Sequence, residues 1–434
     1  MIRFLRSYPM IVLLLPLVAA ILVCERFLPR ESYSDQPAVY AFVLQGDAKA
    51  TTKCERYDAH LIALWDSFSG QWTKGKEDMM VYLLRDSTRT MPTRGDTIIA
   101  RTLIEERYRR MYSAFAAKWE VRACSQVQKV PLQKRLYGRL EAAGLHGDEL
   151  ATTGALTLGY KDDLDPELKR HFQASGAAHV LAVSGLHTGI IYGLLIWLLT
   201  LGGRFKPRHE NRLGRCIISS VIIAAMWAYA WLTGMTPSVV RAVVMVTMVE
   251  VAHMCYRQAL SLNTIAAAAV LILLVRPSDL WSVSFQLSFS ATAAIVVLVS
   301  SCRHVDMTLL RKSKILRYIL GIIVVSLAAQ LGTLPITMYY FGQISNYFLL
   351  TNLIVLPLAT ILVPCGLLTI ALGGSCVGLW IGKVTHGLAW AMNHSVGWIE
   401  SLPGSTTSVH IGLGMVAIYY LIFTLFCTFI AEKR

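Results

Sequence analysis

The sequence predicts an α-helical polytopic membrane protein of about ten transmembrane helices, with a small β domain outside the membrane. Three observations support this fold class. The 434 residues are 55% hydrophobic and only 16% charged, which is too apolar for an ordinary soluble domain. Apolar runs long enough to cross about 30 Å of hydrocarbon as helices recur along the chain. One stretch near the N-terminus, by contrast, is polar and rich in turn residues.

Residues 1–29 are predicted to form an N-terminal transmembrane anchor. Arg3 and Arg6 precede an apolar stretch that resembles a secretory signal. A lipoprotein-type cleavage before Cys24 needs a small residue where Val23 stands, and the small residues of a signal-peptidase site do not follow cleanly. We therefore expect this segment to be retained as the first span.

Residues 30–130 are predicted to form a separate β domain outside the membrane, because no segment there is long or apolar enough to span. Short strand-like runs alternate with turn residues such as Gly70 and the Pro92/Gly95 pair. Five short strands favour a small barrel of the OB type. The five runs are 39–45, 60–65, 79–84, 97–103 and 119–123.

Residues 131–178 are predicted to form amphipathic interfacial helices. Leucines at positions 136, 140 and 145 are set against charged side chains on either side of them. Helices with this pattern lie along a membrane face or pack under a domain. The charged residues are Lys134, Arg135, Arg139 and Glu141.

Residues 179–434 are predicted to form the main transmembrane domain, and the distribution of charge orients it. Lys and Arg accumulate in cytoplasmic loops, so the net charge of +14 does not by itself indicate nucleic-acid binding. With the N-terminus inside, the loops 203–215, 254–261 and 302–317 all lie in the cytoplasm, as does the C-terminus, and residues 30–178 lie outside. The predicted spans are 9–25, 179–201, 216–234, 239–256, 262–276, 281–301, 318–341, 347–372, 376–399 and 409–430.

The nine cysteines agree with this placement. Seven lie in or beside apolar spans, where a thiol behaves as a small hydrophobic group. Only Cys54 and Cys124 lie in the β domain. On the oxidising side of the membrane a disulfide between them is the preferred interpretation, with two unpaired thiols as the alternative.

The first polar break in the apolar pattern contains His179, Ser184 and His187. On one helix, Ser184 and His187 share a face, while His179 and His187 lie about 12 Å apart along the axis, too far for two ligands of one metal ion. Polar side chains at membrane depth face a cavity or a partner helix. A hydrolase with Ser184 as nucleophile and His187 as base lacks both the Gly-x-Ser-x-Gly elbow and a placed carboxylate. A cavity-lining or packing role is favoured.

The span that begins at Pro237 carries several ionisable residues. Arg241 either snorkels outward or faces an internal path. Glu250, His253 and Arg257 share one stripe, either as a local ion-pair network or as conducting groups. Both alternatives stay open.

Further breaks follow towards the C-terminus. From Ser284 to Ser290, polar and apolar residues alternate with a period of two. Such a run is either unwound inside the protein or an ordinary helix whose serines bond to its own carbonyls. Gln330 before Pro335, and Asn352 before prolines 357 and 364, indicate helices broken as in transporters and channels. The candidates for an internal polar path are therefore His179, Ser184, His187, Arg241, Glu250, Gln286, Ser288, Gln330 and Asn352.

These motifs carry a resemblance. Residues 176–189, GAAHVLAVSGLHTG, are similar to the signature GxxHLLAISGLHVG of the ComEC family of competence channels. Further motifs follow in the order in which that family has them. They are PSVVRA from Pro237, FQLSF from Phe285, and Gln330 and Asn352 with the prolines after them. The outside domain resembles the family's OB-like module, so the resemblance covers residues from about 30 to 430.

The resemblance implies a channel that passes single-stranded DNA through the inner membrane during natural transformation. It also implies a DNA receptor outside, a DNA-translocating ATPase in the cytoplasm and a separate nuclease that degrades the other strand. Basic groups and aromatic rings on the OB-like domain are candidates for docking the strand, with a solvated face against lipid headgroups as the alternative. These candidates are Arg101, Arg107, Tyr108, Arg109, Arg110 and Tyr112.

Two departures limit what the resemblance implies. Many family members carry a metallo-β-lactamase-like domain, but no His-x-His-x-Asp-His cluster occurs here, so we expect neither nuclease activity nor a metal or cofactor site. Ser282 and Ser284 stand where the family commonly has Asp and Gly, so a charged contact there is not expected.

No Gly-x-x-x-x-Gly-Lys-Ser/Thr loop is present, and any ATP-driven step lies in another protein. The alternative functions are a transporter or channel for another solute, and an intramembrane serine hydrolase.

Overall fold

The computed structural model of the chain separates into two compact units, residues 27–131 and the remainder. Each unit has its own hydrophobic core. The residues that the structure describes are 9–27, 37–45, 49–50, 54–66, 70–75, 77–85, 91–93, 95–108, 111–123, 132–181, 183–200, 212–256, 262–302 and 313–432.

The smaller unit is a β half-barrel formed by one sheet in the order β7-β8-β5-β3-β1-β6-β9, with β2 and β4 paired to β3. All five predicted strand runs are found, in β1, β3, β5, β6 and β9, and the other four strands were not predicted. The strands are β1 Ala38–Leu44, β2 Lys49–Ala50, β3 Cys54–Asp66, β4 Gln71–Lys74, β5 Asp78–Leu84, β6 Thr97–Thr102, β7 Ile104–Tyr108, β8 Met111–Ala116 and β9 Trp119–Ala123.

The order of the central strands is that of a Greek key. Strands β1, β3 and β5 are consecutive antiparallel neighbours, and β6 returns to pair with β1. Strand β8 then pairs parallel to β5. The Thr102 hydroxyl of β6 donates to the Phe115 carbonyl oxygen of β8 at 2.7 Å, which brings the two ends of this arrangement together.

The half-barrel core follows from the two-residue period of its strands, because alternate side chains point to one face. Tyr40, Phe42 and Leu44 of β1 are fully or almost fully buried, and Ile98 of β6 packs in the same cluster. Trp119 of β9 covers this core, and its indole N–H donates to the Leu84 carbonyl oxygen at 3.3 Å.

The larger unit is helical. Each predicted span has a helix at its position, although the first span of the main domain is divided between α5 and α6. The helices are α1 Pro9–Phe27, α2 Leu132–Ala142, α3 Gly147–Leu158, α4 Pro166–Ala174, α5 Ala178–Leu181, α6 Gly185–Leu199, α7 Arg212–Leu232, α8 Pro237–Met254, α9 Leu262–Val275, α10 Val283–Cys302, α11 Lys314–Phe341, α12 Phe348–Leu372, α13 Cys376–Glu400 and α14 Leu413–Glu432. A short β10–β11 pair, Gln343–Ser345 with Thr406–Ser408, joins two loops.

Helix α8 connects two cores of this unit. Val239 and Val243 pack in a large cluster with α3, α6, α7, α12 and α13. Val244, on the other side of the helix, packs with Ile21 of α1 and Phe285 of α10. Helix α8 therefore contributes side chains to both clusters, while Pro237 and Val251 are exposed.

Helix α3 differs from the interfacial helix that its position in the sequence predicts. Every residue from Leu150 to Leu158 is buried, with α12, α13 and α2 packed around the helix. Small residues allow this close packing: Gly154 faces the Tyr137 ring, and Gly366 of α12 faces Thr157. Only α2 and α4 bury one side in the way that an amphipathic helix does.

Four helical segments in the described residues are both long and apolar enough to cross a membrane, Leu213–Leu232, Pro237–Met254, Ile315–Phe341 and Phe348–Leu372. Five shorter apolar segments accompany them. These helices make the chain a membrane protein, while the predicted count of about ten spans is not confirmed. The shorter segments are Leu13–Val23, Gly185–Leu199, Leu262–Val275, Val283–Val299 and Leu413–Thr424.

Candidate functional site

Helix α8 carries two buried ionisable side chains. Pro237 occupies its first turn, where a proline fits because the missing N–H has no helical partner. Arg241 is 3% exposed and Glu250 is completely buried. They lie nine positions apart, or about 13 Å along the helix axis. Ionisable groups buried at membrane depth are rare and mark functional sites, so α8 is the centre of the candidate site.

Arg241 links α8 to the beginning of α10. Its Nη2 donates to the Ser284 carbonyl oxygen at 3.1 Å and also to the Ser284 hydroxyl. Its Nε has no hydrogen-bond partner among the described residues. The side chain therefore does not snorkel outward. Ser284, at the position where the family commonly has a different residue, supplies the contact.

Glu250 links α8 to α6 near the other end of the helix. The Tyr192 hydroxyl donates to its Oε1 at 2.6 Å, and the His253 Nδ1 lies 4.0 Å from the same oxygen. Arg215 of α7 donates to the His253 carbonyl oxygen at 3.4 Å and lies 3.8 Å above the Tyr256 ring. Three helices thus meet in one polar cluster. Arg257, predicted to share the stripe, lies outside the described residues.

Ser184 and His187 interact, but at a helix end rather than along one helix face. Ser184 is the N-cap of α6, and its hydroxyl accepts from the Leu186 N–H at 3.3 Å. The Ser184 N–H donates to the His187 Nδ1 at 3.1 Å, which completes a capping box. Thus the expectation of one continuous helix through this stretch is wrong. His179 lies apart on α5, exposed, with Nδ1 3.0 Å from the Gly176 carbonyl oxygen.

Gln286 and Ser288 lie on a regular helix. The period of two in the sequence does not unwind the chain, because α10 is helical from Val283 onward. The Gln286 side chain donates to the Leu280 carbonyl oxygen at 3.1 Å, and the Thr292 hydroxyl bonds to the Ser288 carbonyl oxygen at 2.8 Å. The ordinary-helix alternative is therefore correct here.

Gln330 and Asn352 also lie on continuous helices, so the expectation of broken helices is wrong for α11 and α12. Pro335 removes the N–H that would bond to the Leu331 carbonyl oxygen. The Tyr419 hydroxyl of α14 donates to that oxygen instead, at 2.9 Å. Asn352 donates to the Ser326 hydroxyl of α11 at 3.1 Å, whereas Gln330 is half-buried.

The nine path candidates therefore do not form one cluster in the described structure. Arg241, Glu250 and Asn352 each join a different pair of helices, and the Ser184–His187 pair closes a helix end. Polar groups buried in this way occupy the interior of the helical unit at several separate positions. The centre of the candidate site is α8, which carries the buried ionisable pair Arg241 and Glu250.

The docking candidates on the half-barrel are placed differently from one another. Arg101 is exposed on β6, but Tyr112 is 5% exposed and belongs to the hydrophobic core. The prediction that Tyr112 contacts a ligand is wrong, because its position on β8 points it inward. The side chains of Arg107 and Tyr108, and residues Arg109 and Arg110, lie outside the described residues.

Sequence reasoning missed the exposed aromatic residues of the half-barrel. Trp72 of β4 is 43% exposed and packs edge-on against Trp65, with ring centroids 5.3 Å apart. Phe115 of β8 is 54% exposed. The alternation with buried Ala114 and Ala116 is the signal that identifies Phe115 as outward-facing. No comparable signal identifies Trp72, whose strand is exposed along its whole length.

Two further predictions concern cysteines and metals. Cys54 lies on β3 and Cys124 lies outside the described residues, so the disulfide between them stays a prediction. Among the residues that the structure describes, no group of three or more His, Cys, Asp or Glu side chains is arranged to hold a metal ion.

The family comparison covers the helical unit. The family model described as "Competence protein" matches residues 156–433, which include α8 and both of its buried ionisable groups. This chain belongs to the competence protein family. The membership confirms the resemblance to the ComEC family that the motifs predict.

Individual relatives are distant and longer. ComE operon protein 3 of Bacillus subtilis is 28% identical over 247 residues, covering 56% of this chain and 29% of that protein. Recombination protein 2 of Haemophilus influenzae is 24% identical over 279 residues, covering 62% and 34%. Competence protein ComA of Neisseria gonorrhoeae is 28% identical over 163 residues, covering 37% and 23%. The chain therefore matches about a third or less of each relative's length, and no solved structure matches it.

Proposed function

We propose that this competence-family protein is an inner-membrane channel that passes single-stranded DNA into the cytoplasm during natural transformation. The observation that carries the proposal is the pair of ionisable side chains, Arg241 and Glu250, buried on the central helix of the family-matched segment. Family membership supports a role in DNA uptake, and two relatives are named for competence or its operon.

The chemistry of the substrate fits a polar interior. Each phosphate of a DNA strand carries a negative charge, so the strand needs a path from which hydrocarbon is excluded. Helix α8 packs in two hydrophobic clusters and offers a buried guanidinium near its N-terminal end. The conformation described here has its polar groups engaged with neighbouring helices. Conduction then requires those links to exchange partners with the strand or with water.

The half-barrel is proposed to deliver the strand. Its Greek-key order resembles that of OB-type barrels, which bind oligonucleotides through an exposed strand face and loops. Arg101 supplies a cation, and Trp72 and Phe115 supply exposed rings on which bases stack. In this proposal both termini are cytoplasmic, the half-barrel is outside, and a receptor, an ATPase motor and a nuclease are separate proteins.

We propose no catalytic role for Ser184 and His187. A nucleophilic serine needs a base that takes the proton of its hydroxyl. Here the His187 Nδ1 accepts the Ser184 backbone N–H at 3.1 Å, with the Ser184 hydroxyl 3.3 Å from the same nitrogen, and the hydroxyl accepts the Leu186 N–H. Both groups are therefore used to begin helix α6. Covalent labelling of Ser184 in the folded protein by a serine-reactive probe would contradict this assignment.

Deletion of the gene tests the channel directly. Labelled double-stranded DNA is supplied, and label in the cytoplasm is measured separately from label held outside the inner membrane. We expect label to reach the cell but not the cytoplasm. Cytoplasmic uptake at the wild-type level in the deletion strain would refute a DNA channel and favour another solute.

Substitutions on α8 test the site. Arg241→Gln and Glu250→Gln are expected to reduce cytoplasmic uptake at equal protein level, because each removes a buried ionisable group. Arg317→Gln, which changes an exposed cation at the beginning of α11, serves as the matched control and should leave uptake unchanged. Normal uptake in both α8 variants would make the two side chains structural links only.

A further inference from the structure

Helix α13 has two unlike faces. Its inner face is made of small and apolar residues that pack against α12, α3 and α4. Gly382 lies so close to the Ala143 carbonyl oxygen that a Cβ would be 2.5 Å from it, and the Thr385 hydroxyl bonds to Thr369 at 3.1 Å. The inner residues are Gly378, Gly382, Thr385, Ala389, Met392, Val396 and Ile399.

The outer face of α13 carries aromatic and basic side chains together with the exposed aliphatic residues Val377, Leu379 and Val384. Trp380, Trp390 and Trp398 are 74%, 55% and 52% exposed. Lys383 and His394 are also exposed between them. These residues follow the helical spacing of three and four, so they form one stripe. We call this set of five residues the α13 stripe.

The stripe is basic. The acidic residue of α13 is Glu400, at the last position of the helix. Its carboxylate bonds to the His171 Nδ1 at 3.2 Å and lies 3.7 Å from the Arg170 guanidinium. Glu400 is thereby directed towards α4, and no carboxylate offsets Lys383 within the α13 stripe. An anionic ligand is favoured by this charge.

Hydrocarbon suits the α13 stripe poorly. Lys383 lies seven residues, or about 10 Å, inside the helix, and His394 lies about 9 Å from the other end. The lysine ammonium is costly to place against lipid at such depth. Water or a polar partner therefore covers this face.

Two features of the α13 stripe favour the binding of planar rings. The Trp390 and His394 rings are already stacked, with centroids 5.2 Å apart and planes 9° from parallel. Between Lys383 and Trp390, Gly387 is exposed, and no atom lies within 4 Å of the place where a side chain would begin. A planar group entering this gap meets a ring on one side and a cation on the other.

We propose that the α13 stripe is a stacking surface for the bases of single-stranded DNA, with Lys383 attracting the phosphates. Aromatic stacking beside basic groups binds single strands of any sequence, which a transformation channel requires. The inference rests on the proposed function and deepens it, because it assigns one face of one helix to the path of the strand.

Cysteine labelling tests the surface. Gly387→Cys fills open space on the α13 stripe, and Gly193→Cys is the matched control on α6, since it is equally exposed and open. The full chain in lipid nanodiscs is treated with a membrane-impermeant maleimide, and modification is mapped by peptide mass spectrometry. We expect modification at position 387 but not at 193, and protection of position 387 by oligothymidylate.

Three outcomes would overturn the proposal. No modification at position 387 means that lipid covers the stripe. Modification that oligothymidylate does not reduce means that no strand binds there. A disulfide between two Gly387→Cys chains, with no protection by DNA, means that a second copy of this chain covers the face.

Affinity measurements complete the test. Trp390→Leu should weaken oligothymidylate binding about 5- to 150-fold, the range observed for the loss of one stacking ring. Trp197→Leu, on α6 and 58% exposed, should leave it unchanged. Equal affinities for the two variants would refute stacking on α13. If the gene deletion still abolishes uptake in that case, the channel function stands and only this surface is wrong.

Discussion

The crossing of α11 with α10 provides the sharpest test of the helical packing. Gly332 of α11 lies at the crossing, where a Cβ would be 2.6 Å from the Ser290 carbonyl oxygen and 2.7 Å from the Ala294 Cβ. Neither atom is the end of a flexible side chain, so neither yields without movement of a helix. Gly332→Ala is therefore expected to destabilise the helical unit.

The change in the free energy of unfolding caused by Gly332→Ala is the sum of two opposing effects. Replacing a helical glycine by alanine favours the helix by about 1 kcal/mol, whereas inserting one methyl group into a packed interior costs about 1–3 kcal/mol. Gly321, on the same helix, has no atom within 4 Å of the corresponding position. Gly321→Ala carries only the favourable effect, so the difference between the two variants isolates the packing cost of about 1–3 kcal/mol.

A hydrogen bond at Gly332 raises the destabilisation expected for Gly332→Ala. The Tyr420 hydroxyl of α14 donates to the Gly332 carbonyl oxygen at 2.7 Å. Displacement of α11 would lengthen this bond, at a cost of about 0.5–1.5 kcal/mol. We therefore expect the upper part of the range for Gly332→Ala.

The free energy of unfolding is measured in detergent micelles by titration with a denaturing detergent, with tryptophan fluorescence as the signal. Both alanine variants are compared with the unchanged protein. Equal stability of Gly332→Ala and Gly321→Ala would refute the close crossing of α10 and α11. DNA uptake by the two strains then reports whether the same crossing is needed for function.

Two further predictions concern hydrogen bonds in the helical unit. Tyr419→Phe should lower the free energy of unfolding by about 0.5–1.5 kcal/mol. The loss should be smaller in a Pro335→Ala background, because the restored N–H can bond to the Leu331 carbonyl oxygen. Equal losses in both backgrounds, in the same unfolding assay, would contradict this coupling. Ser184→Ala should cost about 1 kcal/mol through loss of the N-cap, whereas Ser184→Asn, a replacement that also caps helices, should recover most of it. If Ser184→Asn restores stability but not DNA uptake, Ser184 has a role beyond capping.

The strands and spans were predictable because their signals are local. Alternate burial at Tyr40, Phe42 and Leu44 reflects the two-residue period of β1, which is visible in the sequence. Strand β4, which is exposed along its whole length, gave no such signal. Tyr112 looked like a surface residue because it follows a run of arginines, but its strand turns it into the core.

Breaks in the helices were predicted wrongly for a physical reason. Proline frees a carbonyl oxygen, and from sequence alone that oxygen has no partner. In the structure the Tyr419 hydroxyl, 88 residues away along the chain, donates to the oxygen freed by Pro335. A helix can therefore continue through a proline when tertiary contacts satisfy its backbone.

By itself, the sequence determined the membrane character, the separate β unit and the family, because apolar length, two-residue alternation and a contiguous motif are all local properties. Only the tertiary structure decided that Arg241 contacts Ser284, that Glu250 meets Tyr192, and that α3 is buried. These outcomes depend on which helices pack together. A buried polar group takes its partner from a distant segment, and the sequence around that group does not contain the partner.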